Sequence, residues 1–160
     1  MTRQQFSTLV ERNQVALRRY LVALCGGDKD VADDIAQETL MKAYLSVGTL
    51  NDISKFKSWL FRIAYHTFIN DNRSNIELDS IETTAVSATA SEEADSSFRY
   101  QHLYLALNKL NLKERGIVVL FYLEGYSSKE IAEIIKEKDS NVRQLLSRAR
   151  KSLKTYLEHD

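Results

Sequence analysis

Residues 127–156 read SSKEIAEIIKEKDSNVRQLLSRARKSLKTY, and the fold turns on how this stretch is read. Two helical patterns lie back to back with a few polar residues between them. In the first, Ile131, Ala132, Ile134 and Ile135 fall at helical spacing, and Ser127 with Glu130 has the form of a capping box. In the second, Val142, Leu145, Leu146, Ala149, Leu153, Tyr156 and Leu157 make one apolar stripe. Its other faces carry Asn141, Arg143, Gln144, Ser147, Arg148, Arg150, Lys151 and Lys154, with no acidic residue between Arg143 and Lys154. Helix, short turn, helix with a basic and amide-rich outer face is the outline of a helix-turn-helix. Arg and Lys neutralise phosphates, while Asn, Gln and Arg read base edges in the major groove. The plainer alternative is a solvated, salt-bridged surface helix. The hairpin in front, which presents the second helix, tips the reading toward DNA.

The N-terminal part of such a helix usually enters the groove, and basic residues further along meet phosphates. Ser140, Asn141, Arg143, Gln144 and Ser147 are therefore expected at or near bases. Arg148, Arg150, Lys151 and Lys154 are expected on phosphates or packed over the helix end.

Outward from this stretch, composition sets the class. The chain has 160 residues, no Pro, 5 Gly and zero net charge, so bulk charge says nothing about nucleic acid. Its distribution does. Residues 1–73 carry 10 basic and 8 acidic residues, 74–98 carry 6 acidic and none basic, and 99–160 carry 12 basic and 8 acidic. That pattern suits two binding modules and an acidic connector. The scarcity of helix breakers and the sustained 3.6-residue periodicity predict an all-α protein. One Cys, Cys25, excludes an internal disulfide and suits a reducing cytoplasm; it reads as a buried thiol near a helix end. No apolar run reaches the ~20 residues that span a bilayer, and no signal-peptide core opens the chain.

The first module, 1–73, reads as three helices. Thr2 and Gln5 cap the first, its apolar side runs from Phe6 to Leu24, and Gly26-Gly27 end it. Asp28 opens the second, with Ala32, Ile35, Ala36, Leu40, Ala43 and Tyr44 inward and Asp30, Asp33, Asp34, Gln37 and Glu38 outward. That acidic face is either plain solvated surface, favoured by the helix dipole, or a docking surface for a basic partner. After a loop at 48–54, Phe56, Trp59, Leu60, Ile63, Ala64 and Thr67 form an inward stripe, and Phe61, Tyr65 and Phe68 form a second, aromatic one. Trp59 is expected in the core. Arg62, His66, Asn70 and Arg73 follow a third line, the mixture of cation, imidazole and amide that a nucleic-acid face uses. Residues 74–98 lose periodicity and read as an extended or disordered linker. The second module, 99–160, adds a helix over Tyr100–Leu110 and another capped by Asn111 and Glu114 before the helix-turn-helix. His66, His102 and His159 are scattered, and no Glu-x-x-His pair, phosphate loop or nucleophile–base set occurs. No enzyme activity, metal or cofactor is expected.

The order of these pieces resembles the extracytoplasmic-function group, group 4 of the sigma-70 family of bacterial RNA polymerase sigma factors. The resemblance rests on DDIAQETL at 33–40, FKSWLFRIA at 56–64, LNLKER at 110–115, YSSKEIAEI at 126–134 and VRQLLSRARK at 142–151. It implies a σ2 and a σ4 domain joined by a flexible acidic linker. Asp33, Asp34, Gln37 and Glu38 would dock on the coiled coil of the polymerase β′ subunit, with σ4 on the β flap. The helix 55–73, with Arg62, His66, Asn70 and Arg73, and the loop before it would bind and open the −10 element. The helix 140–156 would read the −35 element through Ser140, Asn141, Arg143, Gln144, Ser147, Arg148 and Lys151. An anti-sigma factor would hold the protein inactive in the cytoplasm. One departure stands out: residues 136–139, KEKD, offer no glycine for the turn between the last two helices, where family members usually carry one. The competing reading is a stand-alone helix-turn-helix regulator with an unrelated helical domain in front.

Overall fold

The computed structural model describes residues 1–78 and 94–158, without the side chains of 73–78 and 94–100. Among these residues the regular structure is entirely helical. The helices are α1 (Arg3–Leu24), α2 (Lys29–Leu45), α3 (Phe56–Leu78), α4 (Ala94–Lys109), α5 (Leu112–Tyr122), α6 (Ser128–Ile135) and α7 (Asp139–Glu158), with two short 3-10 turns, Val47–Thr49 and Ile53–Lys55, before α3.

The starts of the helices follow from local chemistry. Thr2 and Gln5 form a reciprocal capping box on α1, and Ser127 and Glu130 form one on α6. The Asp28 carboxylate accepts from the Val31 amide at 3.2 Å, and Asn111 accepts from the Glu114 amide at 2.8 Å. Each side chain satisfies an amide that the first helical turn leaves unpaired. At the end of α1 the chain turns through Gly26, at φ +65°, and a Cβ there would also strike the Asn108 side chain at 2.4 Å. Cys25 caps α1. Burial pushes its thiol up to about 12, so it stays protonated and inert at neutral pH.

Leu17, Leu21 and Leu24 of α1, Ile35 and Ala36 of α2, and Phe56, Leu60 and Ala64 of α3 fill one core. Ile117 and Leu120 of α5, Ile131 and Ile135 of α6, and Val142, Leu146 and Ala149 of α7 fill the other. These cores are not separate. Buried residues run from one into the other without a break, with α5 on α1 and α6 on α3. The aromatic stripe Phe61, Tyr65 and Phe68 is almost fully buried, and Phe61 meets Tyr126 edge-on at 6.0 Å. Phe61 also meets Tyr20 of α1 edge-on at 5.0 Å, and Tyr65 lies against Gly116 of α5, so the two modules cover the stripe together.

Four expectations need correction. The helices extend into the expected linker from both ends, α3 to Leu78 and α4 from Ala94. No Gly or Pro interrupts the chain between Gly48 and Gly116, so nothing local stops either helix. Residues 79–93, the rest of the linker, lie outside the described residues. Tyr44 is exposed and touches the core only edge-on, against Phe6 at 5.4 Å. Tyr156 and Leu157 are exposed too, because the 20-residue α7 is longer than the 11-residue α5 and 8-residue α6 on which it packs. Trp59 is only half-buried, tilted on Phe56 at 5.7 Å at the lip of a groove.

Candidate nucleic-acid and polymerase interfaces

Helix α7 shows how its stripe aims the opposite face. Val142, Leu146 and Ala149 are buried against α5 and α6, so Ser140, Asn141, Arg143, Gln144, Ser147, Arg148 and Lys151 are all exposed. Arg143 is held loosely by Asp139 one turn before it, at 3.5 Å. Asn141 donates to Glu137 at 3.3 Å. Lys113 also bonds Glu137, and the two donors hold its carboxyl below the usual range. Arg150 lies apart from this face. Its Nε donates to the Tyr122 hydroxyl at 2.7 Å, and its guanidinium covers the Phe121 and Tyr122 rings at 5.3 and 5.9 Å. It packs over α5.

The turn before α7 solves the missing glycine directly. Lys136 itself takes the left-handed conformation, φ 59° and ψ 53°. Its amide and that of Glu137 both reach the Ala132 carbonyl, the latter at 2.9 Å, closing α6. A left-handed residue with a Cβ costs roughly 1–2 kcal/mol. Lys136→Gly is therefore expected to raise stability by ~1 kcal/mol, seen in calorimetry as a rise of ~2–4 °C in the melting midpoint. An unchanged or lower midpoint would show the conformation to be free of strain.

On α2, Asp34 and Gln37 are exposed, as expected. Asp33 and Glu38 are less free than the sequence suggested. Asp33 is paired with Arg18 of α1, and Glu38 with Lys42 at 3.4 Å. The sequence reading also missed two neighbours. Met41 and Leu45 are 65% and 77% exposed. With Asp34 and Gln37 they follow steps of 3, 4 and 4, one line on the helix. Apolar residues on an expected polar line were the signal available.

On α3 the four expected residues divide. Arg62 is half-buried, and its guanidinium is already engaged. Its Nε donates to the Ile134 carbonyl at 3.1 Å and its Nη2 to the Glu133 carbonyl at 2.9 Å, both at the end of α6. His66 Nδ1 lies 2.8 Å from the Arg62 carbonyl, a spacing at which the ring N–H donates. Asn70 is exposed, and the Arg73 side chain lies outside the described residues. Asp52 shapes the loop before α3 by accepting from the Ser54 amide at 3.0 Å and its hydroxyl at 2.7 Å, which lowers its pKa. A groove of about 620 Å³ runs between this loop, Trp59 and Arg62 on one side and Tyr126, Glu130 and Glu133 on the other.

Among the described residues no group of three or more His, Cys, Asp or Glu could hold a metal ion, and no helix is long and apolar enough to cross a membrane.

Two family descriptions match the chain: sigma-70 region 2 over residues 9–75 and sigma-70 region 4 over 100–153. The chain is 30% identical over 132 residues to the RNA polymerase sigma factor YlaC of Bacillus subtilis, covering 78% of this chain and 76% of that one. It is 29% identical over 140 residues to the ECF RNA polymerase sigma factor SigM of Bacillus subtilis, covering 85% of each. Among solved structures, the sigma factor RpoE from Bartonella quintana, crystallised with the anti-sigma factor NepR, superposes with a TM-score of 0.78. That match has 27% identity and covers 97% of this chain and 98% of that one.

Proposed function

The chain belongs to the extracytoplasmic-function group of sigma-70 RNA polymerase sigma factors, and from that premise we propose how its surfaces divide the work. A sigma factor directs core polymerase to promoters and leaves the chemistry to the polymerase, so no catalytic residue is to be sought here. Residues 1–73 act as region 2 and residues 99–160 as region 4. The α2 line of Asp34, Gln37, Met41 and Leu45, flanked by Asp33 and Glu38, docks on the β′ coiled coil. Region 4 meets the β flap. Arg62, His66, Asn70 and Arg73 of α3, with the loop 48–55, serve the −10 element, where an unstacked base needs a pocket outside the duplex. The outer face of α7 reads the −35 element. The protein works in the cytoplasm and is held in check by an anti-sigma factor, as the RpoE structure suggests for a relative.

The observation that carries this reading is the α7 face. All seven of its expected contact residues are exposed, on a helix anchored by Val142, Leu146 and Ala149. The test is in vitro transcription over a genomic DNA library with bacterial core polymerase. Discrete start sites are expected only when the chain is added. Sequence-specific DNA binding by the chain alone, with no start sites in the presence of polymerase, would instead indicate a stand-alone regulator.

A further inference from the structure

We propose that Glu137 is a positioning residue of the −35 reader: a chain from Lys113 through Glu137 to Asn141 fixes which edge of the Asn141 amide meets the DNA, and so selects adenine or cytosine over guanine or thymine at one base. The proposal rests on the reading of α7 as the −35 face. It starts from the way the Glu137 carboxylate is shared. One oxygen, Oε1, accepts from Lys113 Nζ, and the other, Oε2, accepts from Asn141 Nδ2 at 3.3 Å. Asn141 is exposed in the first turn of α7, among the residues expected at bases.

Chemistry decides the orientation of the amide. A carboxylate only accepts, and the bonds from Lys113 and Asn141 hold the Glu137 carboxyl below the usual range, so it is ionised at neutral pH. The edge of Asn141 that faces it is therefore the NH2 edge. Turning the amide over would set Oδ1 against Oε2, two acceptors in contact, and would lose a hydrogen bond to a charged group. The carbonyl occupies the opposite edge, and Asn141 offers the groove an acceptor. In the major groove adenine N6 and cytosine N4 carry donors, while guanine O6 and N7 and thymine O4 are acceptors. Asn141 Oδ1 matches the first pair and is repelled by the second.

The carboxylate is itself held still. The Glu137 amide bonds the Ala132 carbonyl at 2.9 Å, next to the left-handed Lys136. The Glu137 side chain is only 25% exposed, and its anchor comes from another helix: Lys113 sits in the first turn of α5, beside the Asn111–Glu114 cap. Helix α5 packs on both α6 and α7, so the anchor and the reading helix keep their spacing. Lys113 also offsets a negative charge that would otherwise stand near DNA phosphates.

The test is a base-preference scan over randomised −35 elements, with holoenzyme assembled from the full chain. Asn141→Ala locates the position. Preference there should flatten, where the parent favours adenine or cytosine by roughly 2–10-fold, the size of one net hydrogen bond. Glu137→Gln should then reverse the preference. Lys113 has only donors, so it keeps the oxygen of the new side chain, whose NH2 falls opposite Asn141. Asn141 turns its Oδ1 to that NH2 and shows the groove its own NH2, which guanine and thymine accept. Adding Lys113→Met frees the new side chain to turn, and the reversal should relax. Lys113→Met alone should weaken all sequences and keep the parental base. A melting midpoint near the parent's shows that each variant is folded. A purely structural role for Glu137 would weaken every sequence in step and leave the preferred base alone, and that result overturns the proposal. If Asn141→Ala alters no position while exchange of Arg143 and Gln144 does, α7 stands as the reader and the proposal falls. If neither alters base preference, the reading of α7 itself fails and takes the proposal with it.

Discussion

Asp34→Lys combined with Met41→Glu is expected to weaken capture of core RNA polymerase by about 10–100-fold, as for loss of one or two interface hot spots. The pair is chosen from the structure. Both residues are exposed on the α2 line, and neither is among the residues that fill the core. Removing an exposed carboxylate changes stability by only ~0–1 kcal/mol. Charge reversal at Asp34 replaces attraction to a basic partner with repulsion, and a carboxylate at Met41 strands a charge in what should be apolar contact. Asp33→Lys would be a poorer test. Asp33 is paired with Arg18, so its reversal also disturbs the α1–α2 packing. Pull-down with core polymerase, read beside an unchanged melting midpoint, decides the matter. Normal capture by the double variant would move the docking surface elsewhere.

What the sequence made legible is what depends on near neighbours. Four caps involving Thr2, Asp28, Asn111 and Ser127 are three-residue patterns, and all four form. The face of α7 follows from a 3.6-residue period within one helix. What the sequence withheld depends on residues far apart in the chain. Arg62 and Ile134, or Gly116 and Tyr65, meet only because α5 and α6 pack on the first module. The aromatic stripe of α3 was visible as a stripe, but its partner was not. Arg62 was read as a solvent-facing cation, because no pattern in residues 55–73 marks the helix end 72 positions away that takes its donors. The Lys136 turn failed for a different reason. Propensity assigns positive φ to Gly, but the paired amides of Lys136 and Glu137 hold a lysine there against its preference.

Exchanging Arg143 and Gln144 is expected to change which −35 sequence the factor prefers, while Lys151→Ala should weaken all sequences alike. Both sites are exposed on the outer face of α7. They differ in position along it. Arg143 and Gln144 lie in the helix's first two turns, the part that enters the groove, and Lys151 lies two turns further on. Arg prefers the acceptor pair on guanine and Gln the acceptor–donor pair on adenine, so a bidentate contact discriminates by ~1–3 kcal/mol. The Asp139 carboxylate, half-buried and 3.5 Å from the exposed Arg143, is an i,i+4 partner worth ~0.3–0.5 kcal/mol, too weak to hold Arg143 back from a base. Lys151 has no such selectivity, because a phosphate is the same in every sequence. Its loss should cut one released counterion, lowering the slope of log affinity against log salt by ~0.9. A binding scan over randomised −35 elements, with holoenzyme at two salt concentrations, separates the two behaviours. Arg150 serves as the internal control. Its guanidinium is committed to Tyr122 and Phe121, so Arg150→Ala should lower thermal stability and leave base preference unchanged. A scan in which Arg143 and Gln144 variants keep the parental preference, while Arg148 variants switch it, would rotate the reading face by about one residue's turn around α7.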